Sequence, residues 1–261
     1  MSRSLALIAW LFVGALFAAD EVKLPPREKF HLYLLIGQSN MAGRGKIEAE
    51  DKTPPPRVLK FTKDQTWAPA LDPLHFDKTV AGVGLGTTFG RVMAEADPGV
   101  TIGLIPCAVG GTPLSRWQKK GDLYEQAVAR AKAAQKDGEL KGILWHQGES
   151  DSGTEKSAAN YGERLAQMVQ DLREELTAET CPFVAGELGE FLKRGEKAKP
   201  SFWPLVNEQL HSLPKRAPRT AVVSAKDLKH KGDEVHFDSA SLREFGKRYA
   251  AAMRELQNSA P

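Results

Sequence analysis

Residues 30–45 read FHLYLLIGQSNMAGRG, and the fold turns on how this stretch is taken. Phe30 to Ile36 is near-continuously apolar and runs straight into Gly37-Gln38-Ser39-Asn40-Met41 and a glycine-punctuated loop. A short apolar run with aromatic and β-branched content, closed by turn residues, reads as a parallel strand buried on both faces. Ser39 then falls just past the carboxyl end of the strand, where open α/β sheets hold their ligands. The plainer reading is that Ser39 caps the next helix and Gly37 relieves a tight turn. On this stretch alone both readings stand.

Further along, strand-like and helix-like segments alternate. Short apolar runs recur at 100–109, 140–145, 182–186 and 220–224. Between and after them, helical spacing appears at 85–96, 122–135, 156–176, 202–213 and 239–257. Leu85, Phe89, Val92, Met93 and Ala96 share one face of the first helix, and Leu242, Phe245, Tyr249, Met253 and Leu256 one face of the last. Asp238, or Ser241 with Glu244, can cap that last helix. Connections long enough for crossover helices make the sheet parallel and doubly wound, with five strands between helices. Residues 57–61 and 65–67 form a separate small hairpin, and 46–56 a proline-rich surface loop.

The chain has 261 residues, 41% hydrophobic and 26% charged, enough for one well-packed domain. A net charge of +3 without a basic stripe argues against nucleic acid as a partner. Residues 1–4 carry a positive charge, 5–17 are apolar, and Ala18-Ala19 offers a small-residue cut before Asp20. That is the pattern of a secretory signal peptide over 1–19, leaving 20–261 as a single exported domain without stable membrane association. Leu16 or Phe17 three residues before the cut departs from the small-x-small ideal, which leaves retention as a membrane anchor as the lesser alternative to export. The apolar run is nonetheless short of the roughly 20 residues a bilayer span needs. Cys107 and Cys181 make no metal cluster and read as buried, unpaired thiols. No metal or other cofactor is expected.

The residues leaving each strand make up an inventory for acyl transfer: Ser39 after the first, Gly110-Gly111 after the second, Gln147 after the third, and Asp233 to His236 after the fifth. A serine hydroxyl needs a base, and histidine suits that near neutrality. A carboxylate three residues from the imidazole can fix its tautomer if the segment turns. The oxyanion needs preorganised donors, for which Ser39 N–H, the glycine backbone at 110 or 111 and the Gln147 amide are candidates. His146, at the apolar end of a strand, reads as structural. Glu149 and Asp151 resemble a glycosidase carboxylate pair but sit in adjacent turns where loop-tethering is the commoner role. His75, Asp77 and His230 lack metal-ligand spacing. The glycines at 82–86 do not follow a strand as a nucleotide fingerprint requires.

With these residues in place, G-Q-S-N-M at 37–41, P-C-A-V-G-G-T at 106–112, W-H-Q-G-E-S-D at 145–151 and D-E-V-H-F-D at 233–238 resemble the sialate O-acetylesterase-like family of SGNH-type hydrolases. That group includes carbohydrate esterase family six, the acetylxylan esterases. The resemblance spans nearly the whole of 20–261. It implies a flavodoxin-like SGNH fold and metal-independent hydrolysis of sugar acetyl esters. Ser39 matches the nucleophile, His236 the base and Asp233 the orienting acid. Gly110 or Gly111 and Gln147 match the oxyanion hole. Gln38, Asn40, His146 and Glu149 lie within the same motifs and stand as residues supporting the site. The G-x-S-x-G elbow of α/β-hydrolases is absent around Ser39. The expected partner is an acetylated carbohydrate, with a non-catalytic carbohydrate-binding module or an acetyltransferase on the same fold as alternatives. Trp117 and Trp203 are candidate sugar-stacking residues. The sugar itself is set by loops, at 46–67, 112–117 and 191–203.

Overall fold

The structure, a computed structural model, describes residues 22–192 and 201–259. The expected signal segment at 1–19 and most of the 191–203 loop therefore lie outside the described residues. The strand beginning at Phe30 is β1 (Phe30–Gly37), and it is the middle of the sheet. It pairs in parallel with β4 (Thr101–Pro106) on one side and β5 (Glu139–His146) on the other. Beyond β5 come β6 (Phe183–Gly186) and β7 (Thr220–Val223), also parallel.

The sheet has seven strands rather than five. The segment read as a separate hairpin supplies the other two. β2 (Val58–Phe61) pairs in parallel with β4, and β3 (Trp67–Pro69) is antiparallel to β2 at the edge. A four-residue strand is too short to show its period in sequence. Its membership comes from burial of Val58 and Phe61 against the sheet.

Because side chains alternate across a strand, β1 feeds two cores at once. Leu32, Leu34 and Ile36 point into one, shared with α3 (Asp122–Ala134), α4 (Glu155–Ala159), α5 (Tyr161–Glu175), α6 (Trp203–His211) and α7 (Leu213–Arg216). Tyr33 and Leu35 point into the other, shared with α2 (Leu85–Ala96) and α8 (Ser239–Asn258). Each such side chain contributes about 1.5–3 kcal/mol on burial, which is why Leu32 to Ile36 carries no charged residue. Most of each face expected for α2 and α8 is buried, with Leu85, Phe89 and Met93 on one helix and Leu242, Phe245, Tyr249 and Met253 on the other, while Val92 and Leu256 are half-buried and Ala96 is exposed. Asp238 caps α8 by accepting the Ser241 N–H at 2.7 Å.

The end of β1 is fixed by Gly37. Its φ is +134°, and a Cβ there would stand 2.1 Å from the carbonyl oxygen of His146 on β5. Only glycine lets the two strand ends approach this closely. Residue 39 is thereby delivered to the top of the sheet at the start of α1 (Ser39–Ala42). Cys107 and Cys181 are free thiols beside separate strands, and burial pushes the Cys181 thiol up to about 12.

Candidate active site

Ser39 and His236 are 197 residues apart in sequence, yet the imidazole Nε2 lies 3.0 Å from the serine Oγ. The imidazole Nδ1 is 2.7 Å from Asp233 Oδ2. Burial works to raise the Asp233 pKa, but hydrogen bonds from the His236 and Val235 backbone N–H groups and from the imidazole overcome it and hold the carboxyl at about 2. An ionised carboxylate at that distance requires Nδ1 to carry its proton and donate. Nε2 is then left with a lone pair aimed at the hydroxyl.

The turn that makes this possible is local. Asp233 Oδ1 accepts the N–H groups of Val235 at 3.0 Å and His236 at 2.8 Å, an Asx arrangement that puts residues 233 and 236 on one side. Glu234 takes a left-handed φ of 53° to close it. His230, for which sequence suggested no role, braces the turn: its Nδ1 accepts the N–H groups of Gly232 (3.0 Å) and Glu234 (3.1 Å), either side of Asp233.

Asn40 joins this turn to the helix carrying the serine. Its Nδ2 donates to the Val235 carbonyl at 3.1 Å and to Glu149 Oε1 at 2.5 Å, and its Oδ1 accepts the Phe237 N–H at 3.1 Å. The amide thus grips the backbone on both sides of His236. His146 is fully buried and lies behind the nucleophile. Burial lowers its pKa to about 3, so it is neutral, and its Nδ1 sits 3.3 Å from the Tyr249 hydroxyl, which donates to the Trp145 carbonyl.

Backbone donors face the same place. Ser39 opens α1, so its N–H has no intrahelical acceptor. In the loop after β4, the Gly110 N–H is occupied, donating to Asp77 Oδ2 at 2.8 Å. The Gly111 N–H has no acceptor among the described residues, and Gly111 holds a left-handed φ of +79°. Of the two expected glycines, the geometry leaves residue 111 free to donate. Asp77 also takes Arg44 Nη2 at 2.6 Å in a pair whose side chains are both almost wholly buried. Arg44 itself donates to the Gly43 carbonyl at 2.7 Å. Neighbouring His75 is buried, with its pKa lowered to about 3 by that burial, and accepts the Ala108 N–H at 3.2 Å through Nδ1. Arg44, Asp77 and His75 sit in irregular chain and carry no sequence signal beyond their charge.

Gln147 departs from expectation. It is wholly buried, and its Nε2 has acceptors at Asp151 Oδ2 (2.7 Å), Thr112 O (3.0 Å) and Gln38 Oε1 (3.1 Å). Its Oε1 accepts from Tyr161. An amide nitrogen with two hydrogens and three acceptors has nothing left for an oxyanion. The reading of Gln147 as a hole donor is corrected on that ground; it ties the loops together. Asp151 does the same, accepting the Leu114 N–H at 2.8 Å. Trp117 is also displaced from its expected place on the sugar: it is 1% exposed, packed edge-on to Trp145 with ring centres 5.6 Å apart. Trp203 is half-buried at the start of α6, against the core.

Ser39, His236 and Asp233 line a cavity of about 650 Å³ together with Gln38, Arg44, Lys78, Val80, Gly110, Gly111, Glu149, Ser150, Leu192, Lys231 and Val235. Among the described residues no group of His, Cys, Asp and Glu could hold a metal ion, and no helix is long and apolar enough to cross a membrane.

A family model described as carbohydrate esterase, sialic acid-specific acetylesterase, matches residues 29–255. A protein of Arabidopsis thaliana named probable carbohydrate esterase is 31% identical over 253 residues, covering 88% of this chain and 91% of its own. The X-ray structure of that Arabidopsis protein gives a TM-score of 0.78 at 30% identity, over 88% of this chain and 99% of its own. Two more distant structures share the fold. NanS has a TM-score of 0.72 at 17% identity, over 90% of this chain and 99% of its own. XAC1771, a carbohydrate acetylesterase from Xanthomonas citri, has 0.65 at 24%, over 87% of this chain and 56% of its own.

Proposed function

Since the chain belongs to the sialic acid-specific acetylesterase family of carbohydrate esterases, and is by that membership a carbohydrate acetylesterase, we propose that it works through a Ser39-His236-Asp233 acyl-enzyme mechanism. The one observation that carries this reading is the relay of 3.0 Å from Ser39 Oγ to His236 Nε2 and 2.7 Å from His236 Nδ1 to Asp233. His236 Nε2 takes the Ser39 proton as Oγ attacks the acetyl carbonyl. Ser39 N–H and Gly111 N–H stabilise the oxyanion. As the intermediate collapses, the sugar oxygen leaves with the proton from Nε2. Water, deprotonated by the same nitrogen, then releases acetate. Asp233, ionised throughout, stabilises the imidazolium that forms at each step.

The substrate is an O-acetyl ester of a sugar, either of sialic acid or of a glycan such as xylan. In support, the cavity is wide enough for a sugar ring above the serine. Ser39→Ala is expected to cut kcat on p-nitrophenyl acetate by roughly 10⁴–10⁶-fold with the protein still folded. Retention of most activity removes the mechanism, and acetate release from acetylated sialic acid and xylan ranks the substrates.

Export belongs to the same reading, supported by the pattern of residues 1–19. Mass spectrometry of the chain recovered outside the producing cell is expected to show an N-terminus near Asp20. An intact Met1 on a cell-retained chain overturns it.

A further inference from the structure

From Cys107 to Gly110 every backbone N–H is taken, and the acceptors alternate from side to side. Cys107 donates to the Leu35 carbonyl at 2.9 Å and Val109 to the Gly37 carbonyl at 3.0 Å, both on β1. On the opposite side β2 follows β4 only as far as Leu104, and past that point two side chains do the work of a strand. His75 Nδ1 accepts the Ala108 N–H at 3.2 Å, and Asp77 Oδ2 the Gly110 N–H at 2.8 Å. Residues 75 and 77 are two apart, as are 108 and 110, which is the repeat of a strand. The N–H of Gly111 comes next, and it is the first of the run with no acceptor among the described residues.

Asp77 is itself held from the side of the nucleophile. Arg44 Nη2 donates to the same Oδ2 at 2.6 Å, and Arg44 Nη1 donates at 2.7 Å to the carbonyl of Gly43, the residue after α1. Both side chains are almost wholly buried, where either charge alone is costly, so the pair stays closed. The fit leaves no slack: a Cβ on Gly110 would stand 2.5 Å from Arg44 Nη2 and 3.4 Å from the Ser39 Cβ.

We propose that Asp77 is a positioning residue for catalysis: tied by Arg44 to the chain that carries Ser39, it fixes Gly110 so that the following N–H, of Gly111, meets the same oxygen as the Ser39 N–H. The inference deepens the acyl-enzyme reading and rests on Ser39 being the nucleophile. Asp77 touches no reacting atom. It acts on the spacing of two backbone donors that belong to separate segments of chain. Such donors stabilise the transition state only when preorganised, and a displacement of about 1 Å costs about 10²-fold in rate.

The test compares p-nitrophenyl acetate with p-nitrophenyl thionoacetate, in which the developing charge falls on sulfur, a weak acceptor that gains little from N–H donors. The ratio of the two kcat values reports donor placement and does not depend on how much of a sample is folded. Asp77→Ala is expected to lower kcat on the acetate about 10²-fold with KM changed much less, and to lower it far less on the thionoacetate, so the ratio falls. Asp77→Asn keeps an acceptor for the Gly110 N–H and should keep most of the ratio. An Asp77→Ala enzyme that loses stability but retains the wild-type ratio makes the residue purely structural and overturns the proposal. Equal loss of the ratio in Asp77→Asn overturns it too. Should Asp77→Ala fail to fold, the structure of the wild-type fluorophosphonate adduct decides. A phosphoryl oxygen held by the Ser39 and Gly111 N–H groups, with the Gly110 N–H still on Asp77, supports the assignment. A Gly110 N–H that has left Asp77 for the phosphoryl oxygen overturns it. Failure of the mechanism itself looks different: Ser39→Ala then stays active and the label lands elsewhere.

Discussion

Two aspartates show how far a single residue's surroundings can move it. Asp233, ringed by donors, is held at about 2 and stays ionised wherever the enzyme works, so protonation of this carboxylate does not set the acid side of the pH profile. Asp72 goes the other way. It is 7% exposed, its Oδ1 has no hydrogen-bond partner among the described residues, and burial pushes its pKa up to about 7 despite opposing contributions from Thr87, Gly84 and Lys60. A carboxyl raised in the folded state keeps its proton there while the unfolded chain has lost it. Stability is therefore fullest below pH 4 as far as this group is concerned. It falls as pH rises from about 4 to about 7, at up to ~1.4 kcal/mol per pH unit. Asp72→Asn removes that slope. Thermal melts from pH 4 to pH 8 should show the variant gaining on wild type by a few kcal/mol towards pH 8; a constant difference contradicts it. Among single residues, Ser39, Asp233 and His236 were legible because each follows a strand and carries a chemistry that needs the others. Gln147 misled for a physical reason. Its type fits an oxyanion donor, but sequence does not show that Asp151, four residues on, has already claimed the amide.

At the scale of elements, the loops rather than the strands hold the surprises. The Arg44–Asp77 pair fastens three pieces of backbone that sequence leaves unrelated: the chain after α1, the irregular stretch before α2 and the glycine loop after β4. Asp77→Ala strands a buried guanidinium and leaves the Gly110 N–H without its acceptor. It should cost roughly 3–5 kcal/mol in urea unfolding, against a smaller loss for Asp77→Asn, which keeps an acceptor for Gly110. Equal losses for the two would deny the clamp its place. The helices were readable because their apolar positions recur with helical spacing over many residues. The partnership of Arg44 with Asp77 has no period, since each is a lone charge in irregular chain.

For the molecule as a whole, the alternation of strand and helix gave away a parallel sheet with helices on both faces, and the strand at 30–37 its centre. Membership of β2 and β3 was hidden because a few residues cannot display an alternation. The placement of the reacting groups has a temporal consequence. Serine comes from the first strand and imidazole from the turn just before the last helix, so a chain still emerging from the ribosome holds its proposed nucleophile long before its proposed base. On the proposed mechanism, Ser39 is an ordinary alcohol until residue 236 has been made and docked against Asn40. On the proposed mechanism the hydrolytic centre is therefore complete only once the C-terminal part of the chain has folded back onto the end of the first strand.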